Sequence, residues 1–137
     1  MRPSAILEAA VYVDDLSEAE RFYGGVLGLE LLAKVEGRHI FFRCGEAVLL
    51  LFDPKATEVP PEPDARLPVP PHGSRGPGHL CFSASADEIE LWKTRLAAQN
   101  IAIEADLEWP RGGRSIYFRD PSGNSLEFAE PRIWGFS

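Results

Sequence analysis

Residues 117–127 read YFRDPSGNSLE, two short segments with alternating apolar side chains on either side of a polar turn. Within the turn, Pro121 restricts its own φ angle and Gly123 readily adopts a positive φ. The flanking segments 115–119 and 125–130 are therefore predicted to be two neighbouring strands. They are the last two elements of a pattern that occurs twice in the chain.

The part of the chain that precedes this turn supplies the other elements of the pattern. Residues 79–83 alternate in polarity and predict a half-buried strand. Ser85 and Glu88 have the spacing of a capping box, which predicts the start of a helix. The apolar stripe of that helix is formed by Ile89, Trp92 and Leu96. A further strand is predicted over residues 101–109.

The first half of the chain repeats this order. Residues 6–13 predict a buried strand, and Asp15 with Glu18 then marks the start of a helix. Its apolar face continues past two glycines, each of which weakens a helix by roughly 1 kcal/mol; the face consists of Leu16, Ala19, Phe22, Tyr23, Val26 and Leu27. Three more strands are predicted over 29–35, 39–44 and 47–52.

The two halves predict an α+β fold built from two tandem βαβββ modules, 5–53 and 78–131, in one domain that spans residues 1–137. The connecting loop, 54–77, contains eight of the twelve prolines and has no apolar periodicity. We predict that it is an ordered or semi-ordered functional loop, too rich in proline to form a helix. One face of each sheet needs a cover, which another sheet of the same chain or of a second chain would provide.

Composition excludes several classes of partner. The formal net charge of −7 argues against nucleic acid and anionic membranes as partners, because both favour clustered Lys and Arg. No apolar stretch reaches the ~20 residues of a membrane span, and residues 1–7 lack a signal-peptide pattern. Cys44 and Cys81 do not form a CxxC motif, so we expect reduced thiols and a cytoplasmic protein.

Four positions are equivalent between the modules, and three of them carry possible metal ligands. Glu8 and His79 begin the first strand of each module, while Leu50 and Glu127 lie in the last strand. A charge on an inward face is costly unless it is paired or bound to a metal. Glu8, His79 and Glu127 would together suit a divalent ion such as Fe, Mn, Ni or Zn. The alternative is that Glu8 faces outward and Glu127 forms a surface salt bridge.

Three segments resemble signatures of the vicinal oxygen chelate superfamily, which contains glyoxalases, bleomycin resistance proteins and extradiol dioxygenases. They are 10–19 with Phe22-Tyr23 and 27–29, then 78–82, and finally 117–127. The resemblance implies curved sheets around a cavity, in a homodimer. It also implies a divalent metal that chelates two adjacent oxygens of a small substrate, held by Glu8, His79 and Glu127. Glu127 or Glu8 would then act as the catalytic base.

The sequence departs from the superfamily pattern at two positions. Glu8 stands where His or Gln is common, and Leu50 stands where glyoxalase I has an acidic ligand. These departures leave lyase, isomerase and dioxygenase chemistry open. The other function considered is a metal-free protein that binds a small molecule, as bleomycin resistance proteins do. Retention of all three candidate ligands favours the enzyme.

Six further residues are candidates for substrate contact. The resemblance places Ser115 and Tyr117 on the cavity face, although Tyr117 is equally well explained as core. Arg111 and Arg114 belong to a hairpin tip where they would grip an anion or remain solvated. Cys81 follows His79 by two residues and shares its face, where it serves as small core filler or as a thiol. Leu50 completes the set because it would line the open metal position.

Overall fold

A computed structural model describes all residues, 1–137. The chain divides into two compact units, Met1–Gly76 and Pro77–Ser137. Each unit contains one four-stranded mixed sheet and a helical element between its first and second strands. The predicted α+β fold with two βαβββ modules is therefore confirmed. No helix combines the length and the apolar character that crossing a membrane requires.

The first unit consists of one sheet and three short helical segments. Its elements are β1 Glu8–Tyr12, α1 Leu16–Glu20, a π-helical segment Arg21–Val26, β2 Glu30–Val35, β3 His39–Cys44, β4 Ala47–Phe52 and α2 Pro54–Thr57. The strand order is β1-β4-β3-β2, and β1 runs parallel to β4. Its core contains buried apolar side chains from three strands: Val11 of β1, Ile40 and Phe42 of β3, and Leu49 and Leu51 of β4.

The first predicted helix is present but changes its geometry halfway. Asp15 caps α1, since its Oδ1 accepts from the Glu18 amide at 3.0 Å. The chain then continues as a π-helical segment that contains Gly24. A Cβ atom at Gly24 would lie 3.3 Å from Cε1 of Phe42. The glycine therefore allows this segment to pack closely on the sheet.

The sequence predicted that the loop between the modules contains no helix, and this prediction is wrong. The short helix α2 forms because Asp53 accepts from the Lys55 amide at 2.9 Å. Pro54 occupies the first helical position, where the missing N–H is not needed. Further along, the His72 amide donates to the Thr57 carbonyl at 3.0 Å and ties the loop back to α2.

The second unit repeats this architecture. Its elements are β5 His79–Ser83, α3 Ala86–Ala98, β6 Ala105–Glu108, β7 Arg114–Arg119, β8 Ser125–Ala129 and a 3-10 helix Pro131–Trp134. The strand order is β5-β8-β7-β6, and β5 runs parallel to β8. The predicted capping box of α3 is confirmed. Strand β6 is shorter than predicted, because Asn100 turns the chain with a φ of 58° and the Ile101 amide still bonds to Leu96.

The strand registers show which positions of the two sheets correspond. Leu50 in β4 pairs with Ala10 of β1 and Phe41 of β3. Glu127 in β8 pairs with Cys81 of β5 and Tyr117 of β7. The residues opposite each other in a sheet share a face. Leu50 therefore occupies in the first sheet the position that Glu127 occupies in the second.

Candidate functional site

The centre of the candidate site is Glu127, a carboxylate in the middle of β8. Its neighbours Leu126 and Phe128 point to the opposite, apolar face of the sheet, which faces α3. Glu127 itself is only 5% exposed. The alternative of a surface salt bridge is therefore wrong for this residue. A carboxylate at this depth needs partners that compensate for its lost hydration.

One partner is His79, the first residue of β5. Its Nε2 lies 3.2 Å from Oε2 of Glu127, and its Nδ1 lies 2.9 Å from the carbonyl oxygen of Ser125. A carbonyl only accepts, so Nδ1 carries the hydrogen. In the neutral ring, Nε2 then directs a lone pair at the carboxylate. Either a proton on Nε2 or a cation bound by both groups satisfies this pair.

The second partner is Ser115 of β7, which is fully buried. Its hydroxyl donates to Oε1 of Glu127 at 2.6 Å and accepts from Nε1 of Trp109 at 2.8 Å. Ser115 was predicted to contact substrate. The structure instead places it beneath the carboxylate, where it fixes the orientation of Glu127. The indole of Trp109 was not expected here, because its role depends on the hairpin that folds it back over β7.

Two further side chains surround the carboxylate. Cys81 and Tyr117 are its register partners, and the ring of Tyr117 lies nearly parallel to that of His79, at 6.2 Å. Desolvation, reinforced by Glu127, raises the pKa of Cys81 to about 12. The same two causes raise the pKa of Tyr117 to about 12. Both groups therefore remain protonated at neutral pH, so Cys81 offers no thiolate.

The two candidate arginines behave differently from one another. Arg114 is directed away from Glu127 and is engaged by the carboxylates of Glu90 and Asp106. These contacts occupy its guanidinium, which leaves little capacity for a substrate anion. Arg111 is exposed at the hairpin tip, in a groove of about 310 Å³ that Trp109 and Trp134 also line.

The first unit contributes Glu8 and Leu50 to a different feature, a cavity of about 720 Å³. It lies between the open face of the first sheet and the segment 69–72, which we call the proline strap. Glu8 is exposed, and Leu50 is 9% exposed. The rest of the wall is largely aromatic, from Tyr12, His39, Phe41, Phe52 and His72.

Sequence reasoning missed most of this cavity. His72 lies in the connecting loop, yet it is half-buried and its Nδ1 lies 2.6 Å from the Tyr12 hydroxyl. His39 was taken only as a strand residue. The available signal was the alternation of His39 and Phe41, which places these two side chains on one face.

The residues present fit a divalent metal in their chemistry. His79 and Glu127 offer one nitrogen and one oxygen, and their outer atoms are held by Ser125 and Ser115, as is usual around metal ligands. No group of three or more His, Cys, Asp or Glu side chains in the chain is arranged to hold an ion. Glu8 as the third ligand therefore stays a prediction.

The chain belongs to the glyoxalase/bleomycin resistance protein/dioxygenase superfamily, whose family model matches residues 5–128. Among solved structures, it is similar to lactoylglutathione lyase from Agrobacterium tumefaciens. The two are 48% identical, with a TM-score of 0.91 over 99% of this chain and 100% of that one.

Two other similar proteins carry different descriptions. Virulence protein STM3117 of Salmonella typhimurium is 30% identical over 123 residues, which cover 86% of this chain and 78% of that protein. A glyoxalase/dioxygenase from Nostoc punctiforme has a TM-score of 0.65 at 24% identity, over 92% of this chain and 90% of that one. The second likeness concerns the fold alone.

Proposed function

We propose that this protein is a metal-dependent enzyme that binds a small oxygenated substrate through two adjacent oxygens. The observation that carries the proposal is the pair formed by His79 and Glu127. Nε2 of His79 lies 3.2 Å from Oε2 of the buried Glu127, and each side chain is held from behind by a hydrogen bond. Such a pair is arranged to receive a cation.

In this proposal His79, Glu127 and Glu8 hold a divalent ion. When bound, the ion would act as a Lewis acid and as a template for the substrate. His79 keeps its Nε2 available because Ser125 accepts the hydrogen on Nδ1. Glu127 keeps Oε2 available because Ser115 occupies Oε1.

The roles of the two carboxylates differ in this proposal. Glu127 is buried and contacted at both oxygens, so it is suited to a fixed ligand. Glu8 is exposed and begins its strand, so its side chain has room to move. We assign proton transfer to Glu8, since a general base must come within hydrogen-bond reach of the substrate proton that it accepts.

A second candidate function is lactoylglutathione lyase, the activity of glyoxalase I. The observation that favours it is the 48% identity to the Agrobacterium tumefaciens protein of that name. Leu50 argues against it, because an acidic side chain is missing where glyoxalase I has a ligand. The hemithioacetal of methylglyoxal and glutathione is therefore the first substrate to assay.

The test of the main proposal is the metal content of the purified protein. We expect about one divalent ion per chain, as a three-residue site with open positions would hold. Protein that neither retains nor takes up an ion in a stoichiometric amount would contradict the proposal. A metal-free protein that still binds a small molecule would instead support the binding function.

Ser115 provides a prediction about the second layer of the site. Replacing Ser115→Ala removes the hydrogen bond to Oε1 of Glu127 and should weaken metal affinity by about 10-fold to 100-fold. Equilibrium competition with a chromogenic chelator measures this change. Ser83→Ala is the matched control, because Ser83 is exposed at the end of β5. Equal affinities in the two variants would show that Ser115 does not position the ligand.

We also expect a homodimer. Strand β2 is an edge strand of the first sheet, and every residue in it is exposed. It includes Leu31, Leu32 and Val35, each 47–48% exposed. Exposed apolar edges are usually covered in native proteins. Sedimentation at micromolar concentration should give twice the chain mass of 15.2 kDa.

A pair of variants locates the dimer contact. Leu32→Arg should shift the protein towards the monomer, while Leu91→Arg, on exposed surface of α3, should not. A monomeric wild-type protein would contradict the dimer. A dimer that Leu32→Arg leaves intact would contradict the assignment of β2 to the contact.

A further inference from the structure

The cavity of the first unit has features that point to a ligand of defined chemistry. Its volume of about 720 Å³ is large enough for a small organic molecule. The proline strap is held over it by the hydrogen bond between His72 and Tyr12, at 2.6 Å. The ring of His72 also packs edge-on against Phe52, with the ring centres 4.6 Å apart. The roof of the cavity is therefore fixed to its floor.

The walls of the cavity favour a flat ring. His39 and Phe41 are stacked, with ring centres 4.0 Å apart and an angle of 7° between their planes. Phe52 meets both of them nearly at right angles, at 82° and 81°. Aromatic surfaces in these orientations offer faces and edges to a further aromatic ring.

One end of the cavity carries a cation that has no carboxylate partner. Arg38 lines the cavity, and its guanidinium makes one hydrogen bond, from Nη1 to the Ala56 carbonyl at 3.4 Å. Burial, with a smaller contribution from the charge of Arg38, lowers the pKa of the neighbouring His39. His39 is therefore neutral at pH 7, and Arg38 is left as the positive group at this end. A guanidinium in this setting suits a carboxylate.

The opposite end of the cavity carries Glu8. Tyr12 follows Glu8 by four positions in β1, a distance of about 13 Å at the usual rise per strand residue. Arg38 lies at the Tyr12 end, because the adjacent His39 pairs with Phe52, which in turn pairs with Tyr12. The cavity thus has a carboxylate at one end, a cation at the other and aromatic walls between them.

We propose that this cavity binds an aromatic carboxylic acid. Its ring lies against Phe41 and Phe52, its carboxylate pairs with Arg38, and its reacting oxygens point towards Glu8. The substrate class of the enzyme is then an aromatic acid with oxygens on the far side of the ring. This assignment rests on the proposed function only for the role of Glu8, since ring and carboxylate recognition need no metal.

The test uses trans-cinnamate as the probe and isothermal titration calorimetry as the readout, with the protein as purified and again in the presence of EDTA. Cinnamate should bind under both conditions. The neutral analogue cinnamamide and Arg38→Gln should each weaken binding by about ten-fold or more, because each removes one half of an ion pair. Arg43→Gln is the matched control, since Arg43 is exposed in β3 and does not line the cavity.

Two results would overturn the proposal. One is the absence of cinnamate binding to the wild-type protein at millimolar concentration. The other is equal affinity for cinnamate and cinnamamide, which needs no variant and so does not depend on the folding of Arg38→Gln. Cinnamate binding by protein that takes up no metal would overturn the metal-dependent function and leave this site standing. Normal metal uptake without cinnamate binding would overturn the aromatic acid site and leave the metal-dependent function standing.

Discussion

Replacing His79→Ala should abolish divalent metal binding. The wild-type protein is expected to hold about one ion per chain, and removal of one of the three proposed ligands leaves too few donors for a stable site. The remaining carboxylate of Glu127 would also lose the partner that lies 3.2 Å from its Oε2. Inductively coupled plasma mass spectrometry on dialysed protein measures the content directly.

The matched control for this experiment is His72→Ala. His72 is half-buried, belongs to the proline strap and contacts Tyr12 rather than a carboxylate. It should leave the metal content unchanged. Because the His79 side chain is 51% exposed, its removal creates no core cavity, and circular dichroism should show an intact fold. Full metal content in the folded His79→Ala variant would refute the assignment of this site.

The wild-type protein should turn over the hemithioacetal of methylglyoxal and glutathione only slowly. Leu50 occupies the register position of Glu127 in the first sheet, so this sheet presents an apolar side chain where glyoxalase I has an acid. With two acids, one carboxylate can hold the metal while the other moves protons. In the proposed site Glu8 would have to do both, which is poorly suited to proton transfer between neighbouring carbons. We expect turnover below the common enzyme range of ~1–1000 per second.

The variant Leu50→Glu tests the cause of this low activity. It should raise turnover by about ten-fold or more, since a positioned acid or base contributes at least that much. Leu50→Gln is the matched control, because a glutamine side chain has nearly the same shape as a glutamate and carries no charge. Efficient turnover by the wild-type protein would show that Leu50 does not limit this reaction. It would favour the lyase function suggested by the Agrobacterium tumefaciens protein.

The sequence predicts most of this fold because its elements carry strong local signals. The predicted strands 39–44, 47–52 and 79–83 have the same bounds as β3, β4 and β5 in the structure. The capping box of Ser85 and Glu88 marks the start of α3 correctly. The bounds are less well predicted where a local signal competes with a neighbouring element, as at β6.

The α2 helix illustrates a signal that the overall composition obscured. Prolines are frequent in the loop 54–77, and this suggested that no helix forms there. Pro54 stands at the first helical position behind the capping residue Asp53, where proline is compatible with a helix. The position of one proline mattered more than the number of prolines.

The sequence also determined that Glu127 is an unusual residue, because a charge between Leu126 and Phe128 alternates into a sheet face. Only the tertiary structure decided what surrounds it. Strand pairing brings Ser115 to its Oε1 and His79 to its Oε2 from residues 12 and 48 positions away. Likewise, the pairing of β1, β3 and β4 joins Arg38, Phe41 and Glu8 around one cavity. Local sequence patterns fix the face on which each side chain lies, whereas contacts between distant residues depend on how the strands pair.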